Sequence, residues 1–317
     1  SRRESQPHSG RHHRTRLWRV TDDRTEVVYE TDSHLADVTP GSFTTLEFER
    51  PRGGKSLVRC ILPPGYRNGE TRPAVMWVYP GADVTRTPGL LERLNSPTFF
   101  NLQLIAARGY VVIIPAIPTD EETRAGRDVI DCLTEPVVPA LEAVDSAGLI
   151  DRENVHLFGQ SMGGWAVLAL LAETSVFRSG IAMASFSNLI SAHSQFDVRF
   201  RYEDQVHEYL NISQMIEDGW HLPGPPWRHL ERYVRSSPVF AADRISAPLL
   251  LFHGDQDAVP MAQSEEMFSA LRHAGRRIEL VRYWGEGHIL SSPANIRDAW
   301  SRIFQWLAEL SRSRVVG

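Results

Sequence analysis

The ten residues Val155–Gly164 constrain this chain more than any other stretch. They read Val-His-Leu-Phe-Gly-Gln-Ser-Met-Gly-Gly, an apolar run ending in G-x-S-x-G. Trp165–Leu171, which follow, are apolar and rich in helix formers. An apolar run, a glycine-flanked serine and a helical segment predict a strand, a sharp turn and a helix, with Ser161 at the apex. Gly159 and Gly163 suit such a turn, because a side chain at either position would meet the adjoining strand or helix. The Ser161 hydroxyl would then lie at a helix N-terminus, where free N–H groups and the dipole favour negative charge.

The rest of the chain supplies the matching architecture. Ala74–Tyr79, Val111–Pro115, Val155–Phe158, Gly180–Ala184, Pro248–His253 and Ile278–Tyr283 are short apolar runs that predict strands. Helical stretches at Pro97–Arg108, Val137–Asp145, Trp165–Glu173, Gln263–Ala274 and Ala294–Leu310 alternate with them. This alternation predicts an α/β-hydrolase fold, a mostly parallel sheet flanked by helices. Thr44–Glu49 and Leu57–Leu62 predict a hairpin across Pro51–Gly54. Upstream, Leu17–Val20 and Thr25–Tyr29 predict a second hairpin, and Asp37–Ser42 reads as a Pro-Gly linker. The expected division is residues 1–42 for the N-terminal segment and 43–317 for the catalytic domain. Ser1–Arg16 is polar, basic and without periodicity. Between Ser185 and Ala241 the alternation breaks into an aromatic, Pro-rich stretch, read as an insertion that covers the active site.

Composition excludes several function classes. A net charge of -5 argues against a general nucleic-acid binder. No apolar run is long enough to span a membrane. Cys60 and Cys132 are distant and lack metal-site spacing, and two cysteines do not decide the compartment. Serine chemistry itself needs no metal or organic cofactor.

A serine nucleophile needs a base oriented by a carboxylate, in the chain order Ser, acid, His. The strand Pro248–His253 leads into Gly254-Asp255-Gln256-Asp257, where Asp257 is the favoured acid and Asp255 is read as bonding the loop backbone. The strand Ile278–Tyr283 leads into Gly285-Glu286-Gly287-His288, which presents His288 as the base. Of the 12 histidines, His253 is the main rival and is read as structural. The oxyanion donors are expected to be the Met162 N–H and a group on the loop after Ala74–Tyr79. That second donor is a backbone amide or the Tyr79 phenol, since Pro80 has no N–H.

From about Thr44 to the C-terminus the chain resembles the catalytic domain of the prolyl oligopeptidase family of serine peptidases. The resemblance rests on Val78-Tyr79-Pro80-Gly81, Gly159–Gly164, His253–Asp257 with Val259-Pro260, and Gly285–His288. Gly224-Pro225-Pro226-Trp227 and Ser237-Pro238 are also familiar there. It implies Ser161 as nucleophile, Asp257 as orienting acid, His288 as base and Tyr79 as side-chain oxyanion donor. Phe186, Trp227 and Val259 are the candidate substrate-binding residues. Met162 stands where many members carry an aromatic residue, and Val259 where the post-proline branches place a polar one. The expected function is a serine peptidase acting on short peptides. The alternatives are an esterase or thioesterase with the same triad, or an isopeptidase of the same family. Members carry an N-terminal β-propeller, so Leu17–Tyr29 is read as the remnant of a last blade. The chain is accordingly expected to be the C-terminal portion of a longer protein, with a propeller segment as a separate chain.

Overall fold

In a computed structural model of the protein, the described residues are 16–30, 33–84, 100–118, 126–195 and 212–312. Two short strands, β1 (Arg16–Val20) and β2 (Thr25–Glu30), form a two-stranded antiparallel sheet of their own. Leu17, Trp18, Val20 and Tyr29 are exposed on it. Among the described residues no further strand completes it. The proposed linker is more than a tether. Gly41 is buried, donates its N–H to Gln103 Oε1 at 2.8 Å, and leaves no room for a Cβ against the Leu62 carbonyl at 2.5 Å.

The main sheet begins at β3 (Ser42–Glu49) and β4 (Lys55–Leu62), an antiparallel pair. It continues with β5 (Arg72–Trp77), β6 (Val111–Pro115), β7 (Ile150–Gln160), β8 (Ser179–Met183), β9 (Leu249–Gly254) and β10 (Ile278–Tyr283). The eight strands lie in the order β10-β9-β8-β7-β5-β6-β4-β3, parallel from β10 to β6. β4 runs antiparallel to β6. The apolar runs carry no polar alternation because both faces are covered. Along β5, Ala74 and Met76 enter one hydrophobic core, while Val75 and Trp77 enter the other.

The helices are α1 (Leu102–Ala106), α2 (Val129–Ser146), α3 (Met162–Glu173), α4 (Leu189–His193), α5 (Ile212–Gly219), α6 (Leu230–Arg235), α7 (Ala262–His273) and α8 (Pro293–Arg312). One core holds α2, α3 and the insertion, and the other holds α1 and α8. Residues 97–99 of the first predicted helix lie outside the described residues. The predicted start of α2 at Val137 falls eight residues late; the helix runs through Pro136 and Pro139, residues that local propensity disfavours in a helix interior. Burial of Val129, Ile130, Leu133, Val137 and Leu141 along one side outweighs the lost backbone bonds. In α3 the residues from Gly163 to Ala172 are all buried, as expected of a helix that is apolar all round.

A half-buried ion cluster ties the β3–β4 hairpin to α2. Glu135 Oε2 accepts from Arg50 Nη2 at 2.7 Å and from Arg127 Nη1 at 2.8 Å. Burial alone would raise the Glu135 pKa, but the bonds from Arg127 and Arg50 outweigh it and hold the group below the usual carboxylate value. Glu135→Gln should therefore lower stability by about 2 kcal/mol at neutral pH, measured by urea unfolding. Because the folded-state pKa is depressed, this stabilisation is complete above the ordinary carboxylate range. It is lost as pH falls through the folded value, so the gap between variant and parent should close in acid. A gap that persists there contradicts the assignment.

Candidate active site

The strand–turn–helix of Val155–Gly164 is a tight elbow. Ser161, between β7 and α3, has φ 60° and ψ -123°, a left-handed conformation unusual for a residue with a side chain. Its N–H donates to the Met183 carbonyl of β8 at 2.8 Å, which holds the turn against the sheet. The flanking glycines are dictated by contact. A Cβ on Gly159 would lie 2.2 Å from the Gly163 carbonyl oxygen, and one on Gly163 would lie 2.4 Å from that of Val78. The strained backbone leaves the Ser161 side chain partly exposed at the N-terminus of α3.

Asp257 and His288 meet on the loops that follow β9 and β10. His288 Nδ1 lies 2.8 Å from Asp257 Oδ1 and 3.0 Å from Oδ2. A carboxylate on Nδ1 requires the proton on that nitrogen, which leaves the Nε2 lone pair available as a base. Asp257 is buried, and its Oδ1 also accepts the Val259 N–H at 2.8 Å. Asp255 faces the other way, accepting from the Gly285 N–H at 2.5 Å and from Gln256 Nε2 at 2.7 Å. His253 also approaches the acid, with Nε2 3.6 Å from Asp257 Oδ2, but its hydrogen bonds go elsewhere. Its Nε2–H donates to the Val259 carbonyl at 2.9 Å, and its Nδ1 accepts from the Ser264 hydroxyl at 2.7 Å. Burial lowers its pKa, so it stays neutral.

The elbow and the histidine loop are joined by Gln160. Its Nε2 donates to the His288 carbonyl at 3.1 Å. Sequence reasoning passed over it as the variable position of the motif. It also passed over Glu286, a fully buried carboxylate two residues before His288. A charged residue between two glycines, followed by Ser291, Ser292 and Asn295, was the available signal.

On the loop after β5 most amides are already used. The N–H groups of Val78, Gly81 and Ala82 donate to Phe158, Ile117 and Tyr79 carbonyls. This favours the Tyr79 phenol as donor. Its ring lies beside Gly163, with Cδ2 3.1 Å from where a Cβ there would be, and burial raises its pKa so that it stays protonated. The Met162 N–H opens α3, where first-turn amides have no intrahelical acceptor.

Two of the three candidate substrate-binding side chains are not on a surface. Phe186 is 2% exposed and packs edge-on against Trp220, with centroids 5.2 Å apart. Val259 is also 2% exposed, and its N–H and carbonyl serve Asp257 and His253. For both, burying apolar area against the core dominates. Trp227 is 72% exposed and edge-on to His193. Residues 196–211 of the insertion lie outside the described residues.

The model of the prolyl oligopeptidase family matches residues 96–314, more than half of the chain. The chain belongs to the prolyl oligopeptidase family. Peptidase YuxL of Bacillus subtilis is 25% identical over 255 residues, covering 77% of this chain and 35% of that protein. Dipeptidyl-peptidase 5 of Porphyromonas gingivalis is 24% identical over 298 residues, covering 89% and 40%. In fold, an acylaminoacyl peptidase of Pyrococcus horikoshii matches 94% of this chain and 46% of its own, at TM-score 0.69 and 17% identity. A puromycin-hydrolyzing peptidase of Mycobacterium tuberculosis matches 93% and 44%, at TM-score 0.69 and 22% identity. This prolyl oligopeptidase family chain thus spans less than half the length of each. These relatives carry the matched region within one longer chain, so the expected propeller segment on a separate chain gains no support.

Among the described residues no cluster of His, Cys, Asp or Glu has the makings of a metal site, and no helix is long and apolar enough to cross a membrane. Gly159→Ala should distort the elbow, since the methyl would strike backbone rather than a movable side chain. The expected result is a lower melting temperature and loss of fluorophosphonate labelling at Ser161. Labelling and melting like the parent would show that the turn is not so constrained.

Proposed function

We propose that this chain is a serine peptidase domain acting on short peptides through an acyl-enzyme intermediate. The carrying observation is the His288 Nδ1 bond to buried Asp257, on a loop tied by Gln160 to the serine elbow. In this reading His288 Nε2 takes the Ser161 proton as Oγ attacks the scissile carbonyl, and the imidazolium then protonates the departing amine. Asp257 fixes the tautomer and stabilises the charged ring. The Met162 N–H and Tyr79 phenol stabilise the oxyanion. Water, activated by the same His288, releases the acyl group. The family match and the peptidase, dipeptidyl-peptidase and acylaminoacyl-peptidase names of the relatives support a peptidyl substrate over a simple ester. Exposed Trp227 is the remaining candidate for substrate contact.

Fluorophosphonate labelling followed by peptide mapping should mark Ser161. Ser161→Ala, Asp257→Asn and His288→Ala should each lose several orders of magnitude in turnover, non-additively, because they act as a unit. Near-normal turnover in Asp257→Asn together with a dead Asp255→Asn would reverse the choice of acid. A panel of peptide and p-nitrophenyl ester substrates tests the substrate class, and hydrolysis of esters alone would overturn it.

Tyr79→Phe should cost about a hundredfold in kcat, corresponding to roughly 3 kcal/mol of transition-state stabilisation, with little change in KM. An effect confined to KM would make Tyr79 a wall of the pocket instead.

A further inference from the structure

Between β10 and α8 the chain must turn sharply while holding an imidazole in register with a carboxylate on another loop. Glu286 sits at the centre of that turn. Its side chain is wholly buried, yet no cation among the described residues pairs with it. It accepts four bonds instead: from the Ser291 N–H at 2.8 Å, the Ser291 hydroxyl at 3.2 Å, the Ser292 N–H at 3.1 Å and Asn295 Nδ2 at 2.7 Å. These donors belong to the entry of α8, so the carboxylate staples the histidine loop to that helix.

The backbone of the same residue faces the acid loop. The Glu286 carbonyl accepts the Gln256 N–H at 2.9 Å, one residue before Asp257. It lies 2.2 Å from where a Cβ on Gly254 would be, so only glycine lets the two loops close this far. Glu286 is therefore bonded through its side chain to α8 and through its backbone to the Asp257 loop, and it lies two residues from His288.

Resting on the reading of Ser161, Asp257 and His288 as a triad, we propose that Glu286 is a positioning residue for His288, setting the imidazole against Asp257 through its bonds to Ser291, Ser292 and Asn295. Burial would raise the carboxyl pKa, but the surrounding donors outweigh it and hold the group at about 2. The staple is thus an anion at neutral pH. It must also be a carboxylate. Each oxygen accepts a backbone N–H, Oε2 from Ser291 and Oε1 from Ser292. A glutamine amide in either orientation would set its NH2 against one of those donors. The usual conservative replacement is therefore disruptive here.

The test compares Glu286→Gln with Glu135→Gln, which loosens the distant ion cluster without touching these loops. Active sites are first titrated with a fluorophosphonate or burst-phase ester, and kcat is expressed per titrated site. Glu286→Gln should lower per-site kcat at least tenfold with KM changed less than twofold. Glu135→Gln should lose stability but keep the parent's per-site kcat. Asn295→Ser, which removes one of the four bonds, should lower per-site kcat about threefold, and it decides the matter if Glu286→Gln does not fold. Parent-like per-site kcat in the folded variants would overturn the proposal and leave Glu286 as a fold-stabilising residue. A parent enzyme that is not labelled at Ser161 would instead overturn the triad reading, and this inference with it.

Discussion

The structure depends on a steric pinch at the elbow. Strand β7 and helix α3 approach until Gly159 and Gly163 touch, and Gly163 in turn closes on the Val78 carbonyl of the neighbouring chain segment. Only a residue in a left-handed conformation bridges that gap, and Ser161 takes it. The cost of such a backbone, of order 1–3 kcal/mol, is tolerable only where surrounding packing over-determines it. Here the surroundings are the Met183 bond and a fully buried α3.

The same device recurs one strand pair away. Gly254 at the end of β9 admits the Glu286 carbonyl as Gly159 admits that of Gly163. In both places a missing Cβ lets backbone meet backbone, and a residue of the proposed triad is carried on or beside the resulting turn. Side-chain bonds then lock the parts together: Gln160 to His288, Asp255 to Gly285, and Asp257 to both His288 and Val259. The constellation is held by rigid loop edges rather than by direct contact among long side chains, which suits the tight tolerance that the proposed proton transfer requires.

The insertion is anchored to this assembly through α3. Trp165 Nε1 donates to the Ser236 carbonyl at 2.8 Å, and its ring meets Trp220, which meets Phe186. The helix that presents the serine therefore also anchors the described part of the insertion. Aromatic residues placed after a sheet strand suggested substrate contact, yet most of their area in the described part is spent on this packing. Trp227 alone of the named candidates keeps its face to solvent.

The sequence by itself determined the parallel sheet and the elbow, and it nominated Ser161, Asp257 and His288 as the triad proposed here. These are local patterns: apolar runs too uniform for one-sided strands, glycines at fixed spacing around a serine, and an acid and a histidine each just past a strand end. Asp255 and Asp257 were already distinguishable by their depth in the loop, and His253 by its strand-end position. Tertiary structure alone decided which side chains face inward, since Phe186 and Val259 read as pocket residues until the core claims them. It decided that α2 runs through two prolines, because burial of one face outweighs local propensity. It also decided the parts of Gln160 and Glu286. Their partners lie on other elements or across a turn: nothing in the chain records that the Gln160 amide reaches the histidine loop, and Ser291, Ser292 and Asn295 mark the Glu286 donors without fixing that one carboxylate gathers them.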